Sequence, residues 1–151
     1  TFRELFATEF TEDGPAVSPN GRFIAFSTTE SDRGEVYVSP FPNVAENRWQ
    51  ISRDGGLFPA WSPDGKELFF LNEGAMIVAR IDEEPSFTWD TPRVLFEGDY
   101  VFQDTFGRPY DVAPDGQRFL MIEREGNSGP ARLHLVLNWA AELKRRAPVE
   151  N

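Results

Sequence analysis

Short apolar stretches alternate with polar turn segments along the chain, and one phrase occurs three times. It reads PAVSPNGRFIAFST at 15–28, PAWSPDGKELFFLN at 59–72 and YDVAPDGQRFLMIE at 110–123. In each copy a Pro-Asn/Asp-Gly turn separates two apolar stretches. Proline presets φ for the first corner, Asn or Asp can bond its own backbone, and glycine accepts a positive φ. Each copy therefore predicts a β-hairpin.

The spacing of the copies is that of propeller blades. The turn residue Ser18 recurs at Ser62 and again at Ala113, a period of about 40–50 residues, which is typical of a blade made of four short strands. Further apolar segments after the hairpins predict the remaining strands, at 35–41, 48–52, 75–82, 93–98 and 132–138.

The pattern divides the 151 residues into two full blades, at 15–52 and 59–98, and a three-stranded blade at 110–138. Before the first hairpin, the segment 4–10 (ELFATEF) stands where the outer strand of a preceding blade would stand, and we predict an orphan outer strand there. After the last strand, apolar positions four apart in 139–146 (WAAELKRR) predict a short C-terminal helix.

These residues resemble the PD40 subfamily of WD40-like repeats, which is named for its Pro-Asp dipeptide. The resemblance is carried by Trp61 to Gly65, by Pro114 to Gly116, and by STTESDRGEVYV at 27–38. The chain departs from the pattern at Asn20, where the repeat has Asp, and at Ala113, where it has Ser. The resemblance implies an all-β fold of three propeller blades, half of a six-bladed ring, with the short C-terminal helix.

Within that family the whole chain, including TPRVLFEG and the ending LVLNWAAELKRR, is most similar to the C-terminal propeller portion of bacterial membrane-bound Ser/Thr protein kinases and their TolB-like relatives. This similarity implies a periplasmic or other extracytoplasmic location, although the sequence itself does not define the compartment. Kinase activity does not carry over, because the Gly-rich loop and the His-Arg-Asp segment of a kinase are missing.

Three blades are too few to close a ring, since propellers have about four to eight. If the ring is six-bladed, two copies can close it, each lending 4–10 to the incomplete last blade of the other. We therefore predict a homodimer formed by strand exchange. The alternatives are an open monomeric fragment and a piece of a longer chain; the first residue, Thr1, favours a piece of a longer chain.

Composition excludes several classes of function. The net charge is −10 and the longest basic run is 144–146, so we expect no nucleic-acid partner. There is no cysteine and one histidine, His134, which argues against a zinc site; we interpret His134 as a core or channel-wall residue. No apolar run approaches the ~18 residues of a membrane span, so we expect no direct membrane insertion.

Catalytic motifs are missing from the sequence. It contains neither the Gly-x-Ser-x-Gly elbow of a hydrolase nor a phosphate-binding loop. The acidic groups at 12–13, 54 and 82–84 lack the spacing of a calcium loop, and we interpret them as solvated loop residues, with a channel metal as the alternative. We expect a protein that is not an enzyme and uses no cofactor or metal.

The loops that lead into the innermost strands, 52–60 and 100–110, combine apolar and charged residues, which suits a protein or peptide contact. The alternative is that their apolar side chains pack under the rim. The candidate binding residues are Arg53, Leu57, Phe58, Phe102, Asp104, Phe106 and Arg108.

The sequence thus favours a non-enzymatic β-propeller module that binds a protein or peptide partner at a loop rim, within a larger envelope sensor protein. One alternative is the accessory propeller of an enzyme, either a peptidase gate or a kinase regulatory domain. Another is that the rim residues serve packing alone. The resemblance carries this functional prediction, since a fold does not by itself define a function.

Overall fold

A computed structural model of the chain describes residues 4–6, 8–100, 107–124 and 131–137. Every helix or strand assigned within those ranges is a β-strand, so the all-β prediction is confirmed. No helix in that part of the chain is long and apolar enough to cross a membrane. The C-terminal helix predicted at 139–146 lies outside the described residues.

The strands form three antiparallel sheets, each built in chain order. Sheet 1 has the order β1-β2-β3-β4, sheet 2 the order β5-β6-β7 followed by β8 and β9, and sheet 3 the order β10-β11-β12. In sheet 2, β8 and β9 both pair with β7, so two short strands share its outer edge. The strand bounds are β1 Glu12–Val17, β2 Phe23–Thr28, β3 Glu35–Pro40, β4 Trp49–Gln50, β5 Leu57–Trp61, β6 Glu67–Asn72, β7 Ala75–Asp82, β8 Thr88–Trp89, β9 Arg93–Glu97, β10 Tyr110–Val112, β11 Arg118–Arg124 and β12 Ala131–Leu137.

The hydrophobic core consists of two layers, one on each side of sheet 2. Leu68 and Phe70 of β6 belong to the layer shared with sheet 1. Phe69 and Leu71 of the same strand belong to the layer shared with sheet 3. Successive strand residues point to opposite faces, so a strand buried on both faces requires a continuous apolar run, which LFFL provides.

The hairpin turn has the same hydrogen bonds in the first two copies. Ser62 Oγ donates to Asp64 Oδ1 at 2.6 Å and accepts from the amide of Glu67 at 2.9 Å, while Lys66 N donates to Asp64 Oδ1 at 3.1 Å. Ser18 and Asn20 repeat this arrangement in the first turn. The side-chain oxygens therefore satisfy amides that the tight turn would otherwise leave unpaired.

The three turns also contact one another across the sheets. A Cβ added at Gly65 would meet Pro19 Cδ at 3.6 Å, and one added at Gly116 would meet Pro63 Cδ at 3.3 Å. Gly65 and Gly116 therefore each lie close to the proline of the preceding turn, so these turns contribute to the packing between neighbouring sheets as well as to single hairpins.

The segment 4–10 differs from the prediction of an outer strand. Residues 4–6 and 8–10 form no strand, and the ring of Phe6 packs against Phe26 of sheet 1 at a centroid distance of 4.4 Å. An isolated segment becomes a strand only where an edge offers it hydrogen bonds. Strand exchange between two copies stays a prediction.

Candidate functional site

Two rims bound the sheets. We call the edge formed by the segment 52–56 and the starts of β1, β5 and β10 the connection rim. The opposite edge, at residues 18–21, 62–65 and 113–116, is the turn rim. Of the predicted binding residues, Arg53, Leu57 and Phe58 lie at the connection rim, in the segment before β5 or at its start.

A groove of about 450 Å³ lies between sheets 1 and 2 at the connection rim, and we call it the Arg53 groove. Arg53 and Asp54 are exposed polar residues of its wall. Its apolar lining residues are Ile51, Phe70, Ile77, Trp89, Pro92 and Val94. Among the described residues, no hydrogen bond or ion pair engages the Arg53 guanidinium. The groove thus combines an apolar lining with a cation that has no partner there.

A buried carboxylate holds the backbone beside Arg53 in place. Glu35 is 1% exposed and accepts hydrogen bonds from Ser52 Oγ, from Arg33 Nε at 3.0 Å and from Gly55 N at 3.1 Å. Arg33 also donates to the carbonyl of Arg53 at 2.7 Å. Because a buried charge is tolerated only when it is paired and hydrogen-bonded, this network makes the 52–55 segment a rigid part of the fold.

Leu57 and Phe58 are neighbours in sequence but face opposite environments. Leu57 is 38% exposed, whereas Phe58 is 2% exposed and belongs to the core between sheets 2 and 3. Phe58 has a φ of +56°, and the pairing of β5 with β6 shifts register between Leu57 and Ala60. This irregularity breaks the strand alternation and turns Phe58 inward, so Phe58 packs under the rim, as the alternative interpretation of the rim residues expected, and is not exposed for binding in the single chain.

Arg108 lies apart from Arg53, beside the first strands of the sheets. It lines a second cavity of about 510 Å³ together with Gly14, Pro15, Pro59, Tyr110 and Asp111. Its Nη2 donates to Asp111 Oδ1 at 3.0 Å and its Nε to the carbonyl of Tyr110 at 3.0 Å. The structure therefore does not bring Arg53 and Arg108 into one site.

Four other predicted positions are only partly described or not described. Phe102, Asp104 and Phe106 lie outside the described residues. The backbone of His134 is in β12, paired in register with Met121.

The turn rim carries a cleft of about 720 Å³ that the sequence did not predict as a site. Asn20 Nδ2 donates to both carboxylate oxygens of Glu83, at 2.9 and 2.8 Å. Arg22 Nη1 contacts Glu83 at 3.1 Å and Glu84 at 3.2 Å. Glu83 and Glu84 therefore link sheets 1 and 2 rather than standing free in solvent. In the sequence, the departure from Asp at Asn20 was the one feature that could have indicated this contact.

Two carboxyl groups near that cleft have shifted pKa values. The hydrogen bond from Ser62 lowers the pKa of Asp64, and burial raises the pKa of Glu67. Within the described ranges, no group of three or more His, Cys, Asp or Glu residues could hold a metal ion.

Comparison with solved structures identifies the fold of the chain. No protein-family model matches the chain, and no curated protein matches it. Solved β-propellers do match. TolB from Acinetobacter baumannii has a TM-score of 0.55 at 18% identity, over 83% of this chain and 30% of that one. A putative TolB from Agrobacterium tumefaciens has a TM-score of 0.59 at 14% identity, over 87% and 47%.

An oligogalacturonate lyase from Vibrio parahaemolyticus has a TM-score of 0.61 at 13% identity, over 88% of this chain and 40% of the lyase. The chain therefore spans less than half the length of each of these three structures. At such low identity the likeness shows the fold alone, which is that of a TolB-like β-propeller.

Proposed function

We propose that the chain is a non-enzymatic propeller module of PD40 type, which presents its connection rim to a protein or peptide partner within a larger envelope protein. The Arg53 groove is the observation that supports this proposal most directly. A guanidinium that has no partner among the described residues, beside apolar surface, is the combination that interfaces use as an energetic anchor. Val94, in the wall of the groove, is 47% exposed and offers apolar area to a partner.

The partner we propose is a peptide segment that carries a carboxylate next to an apolar side chain. The carboxylate would pair with Arg53, since guanidinium and carboxylate form strong charge-assisted hydrogen bonds. The apolar side chain would lie on the exposed surface of Val94. The network around Glu35 supports the role of Arg53, because a rigid backbone reduces the ordering that binding requires.

An accessory propeller of an enzyme is the second candidate. It is supported by one comparison, because one of the similar solved structures is that of an oligogalacturonate lyase. A gene in which this segment is joined to a hydrolase or kinase domain would favour this candidate. The resemblance to kinase-linked propellers and to TolB supports an extracytoplasmic location for either function.

Peptide selection followed by calorimetry tests the proposed binding. Peptides are selected from a random displayed library on the immobilised protein, and their affinity is measured for wild type, Arg53→Ala and Lys66→Ala. Lys66 is an exposed cation of the turn rim and serves as the matched control. We expect Arg53→Ala to weaken binding about tenfold or more, and Lys66→Ala to change it by less than about twofold. Equal effects of the two substitutions would contradict the assignment of the groove.

A further inference from the structure

The first hairpin turn contains the one Asn-Gly pair of the sequence, Asn20-Gly21. An asparagine can modify itself when the backbone nitrogen of the next residue attacks its side-chain carbonyl carbon. Glycine in the next position favours this attack, because it has no side chain to block the approach and adopts many backbone conformations. The other asparagines inside the chain are followed by residues that carry a side chain, as in Asn43-Val44. Asn20 is therefore the position at which this chemistry meets the least steric resistance.

The pair lies where solvent reaches it and where aspartate fits. Asn20 and Gly21 are both exposed. Gly21 has a φ of +72°, and a Cβ added to it would meet nothing within 4 Å. The equivalent positions of the other two turns are Asp64 and Asp115, so an aspartate is compatible with this kind of turn. Water can thus take part in a reaction here, and one of its products matches the other repeats.

Two donors of the turn polarise the side-chain carbonyl of Asn20. Ser18 Oγ donates to Asn20 Oδ1 at 2.8 Å, and the backbone nitrogen of Arg22 donates to the same oxygen at 3.0 Å. This oxygen gains negative charge when a nitrogen attacks the carbonyl carbon. Hydrogen-bond donors aimed at such an oxygen lower the barrier to the attack. The turn therefore supplies the stabilisation that the reaction needs.

Two other contacts oppose the reaction. Asn20 Nδ2 donates to both carboxylate oxygens of Glu83, at 2.9 and 2.8 Å, and must lose these bonds to leave as ammonia. The Gly21 nitrogen donates to the carbonyl of Ser18 at 2.8 Å and must lose that bond before it attacks. The charge of Glu83 also repels the negative charge that develops on the nearby Oδ1. The folded protein thus restrains a group that its own turn activates.

We propose that Asn20 is a site of self-modification by deamidation, and that Glu83 restrains the reaction in the folded protein. The Gly21 nitrogen forms a bond to Asn20 Cγ and gives up its proton. The bond from Cγ to Nδ2 breaks, and Nδ2 leaves as ammonia with that proton. Water then opens the resulting five-membered imide, at one carbonyl to give aspartate and at the other to give isoaspartate. The step exchanges an amide for a carboxyl group, needs water alone and involves no oxidation. It does not depend on the Arg53 groove.

Either product weakens the junction between sheets 1 and 2 at the turn rim. Aspartate can keep the hydrogen bonds of the turn, as Asp64 does, but it has no amide to donate to Glu83. Isoaspartate lengthens the backbone of the turn by one carbon, so it disturbs the turn as well. Both products set a second carboxylate against Glu83 in the cleft that positions 20 and 83 line. A bond between the sheets thereby becomes a repulsion.

Mass spectrometry of peptides from aged protein tests the proposal. Wild type, Glu83→Ala and Glu84→Ala are incubated at mildly alkaline pH, and the conversion of each asparagine is followed. Glu84→Ala is the matched control, because Glu83 and Glu84 both contact Arg22 Nη1, at 3.1 and 3.2 Å, while Glu83 alone of the two contacts Asn20. We expect Asn20 to react first, with a rate raised about tenfold by Glu83→Ala and less than about twofold by Glu84→Ala. Circular dichroism checks that each variant stays folded.

Two reference measurements complete the test. The same chain unfolded in urea should convert Asn20 faster than the folded wild type does. Deamidated protein, which anion exchange separates by its added negative charge, should unfold at a lower urea concentration than unmodified protein. An Asn20 that stays intact in folded Glu83→Ala while the unfolded chain reacts overturns the proposal, and so do equal rates for the two variants. Deamidated protein that is as stable as unmodified protein overturns the effect on the junction.

Discussion

At the scale of single residues, position 20 shows how one atom adapts a repeated turn to its neighbours. The second and third turns carry Asp64 and Asp115 at the equivalent position, and the first carries Asn20. The Asn20 side-chain oxygen accepts the same turn hydrogen bonds as Asp64, while its amide nitrogen donates to Glu83 of sheet 2. A carboxylate could keep the first role but not the second.

Asn20→Asp is therefore expected to destabilise the protein at neutral pH by about 1 kcal/mol. It removes the donor to Glu83 and sets two carboxylates against each other at a partly exposed site. Urea unfolding at pH 7 measures the loss of unfolding free energy. Asn20→Ala is the control, since it loses the donor without adding a charge. If Asn20→Asp lowers the free energy of unfolding no more than Asn20→Ala does, the predicted repulsion between the two carboxylates is absent.

The lowered pKa of Asp64 predicts a pH dependence of stability. The hydrogen bond from the Ser62 hydroxyl is the main cause; burial opposes it, and the backbone amide and the charge of Lys66 add to the lowering. Because the folded-state pKa lies below the unfolded value of about 3.9, the ionised carboxylate stabilises the fold above that pH. The contribution is lost as the pH falls through the folded-state pKa. The difference in unfolding free energy between wild type and Asp64→Asn should therefore shrink between pH 5 and pH 2.

A Ser62→Ala background provides the control for this prediction. Removing the hydroxyl removes the main cause of the shift, so the effect of Asp64→Asn on the unfolding free energy should vary less with pH in that background. The same pH dependence with and without the hydroxyl would show that Ser62 is not its source.

At the scale of elements, the hairpins were predictable because their determinants are local. Proline, a short acceptor side chain and glycine define each turn, and the apolar run of β6 indicates burial on both faces. For Phe58 the sequence left exposure on the rim and packing under it both open. Its inward orientation depends on a positive φ and a register shift against β6, which the apolar pattern of β5 does not encode. Strand β8, Thr88–Trp89, was also missed.

The turn glycines offer a graded test of contacts between sheets. Gly21, Gly65 and Gly116 have φ values of +72°, +74° and +65°, so alanine is similarly strained at all three and should cost about 1–2 kcal/mol from that cause. A new Cβ meets nothing within 4 Å at Gly21, Pro19 at 3.6 Å from Gly65, and Pro63 at 3.3 Å from Gly116. The loss of stability should be greatest for Gly116→Ala, and Gly21→Ala is the matched control. A reversed order in chemical denaturation would argue against packing of the turns.

At the scale of the whole molecule, hydrogen bonds from aromatic side chains join the sheets. Trp61 Nε1 donates to the carbonyl of Ala16 in sheet 1 at 2.9 Å. Tyr110 Oη donates to the carbonyls of Phe58 and Phe69 in sheet 2, at 2.7 and 3.3 Å. The sequence predicted neighbouring blades from the repeat period but not these bonds, because the partners are backbone atoms far away in the chain. For the same reason it could not show that Phe6 covers Phe26.

Tyr110 makes the junction of sheets 2 and 3 sensitive to alkali. Burial raises its pKa, with Asp111 adding to the shift and Arg108 opposing it. The folded state thus keeps the phenol protonated at a pH where the unfolded chain, with a tyrosine pKa of about 10, already ionises. The stabilisation is fully present below pH 10 and declines above it by up to about 1.4 kcal/mol per pH unit.

Tyr110→Phe should therefore be less stable than wild type at pH 7, by about 1–2 kcal/mol, because it loses the bonds to sheet 2. Above pH 10 the difference in unfolding free energy between the two proteins should close, since the variant lacks the ionising group. Urea unfolding of both proteins at pH 7, 9 and 10.5 measures the difference, in which the titration of all other groups cancels. A gap that stays constant up to pH 10.5 would show that water reaches the Tyr110 hydroxyl, and that the junction between sheets 2 and 3 is open in solution.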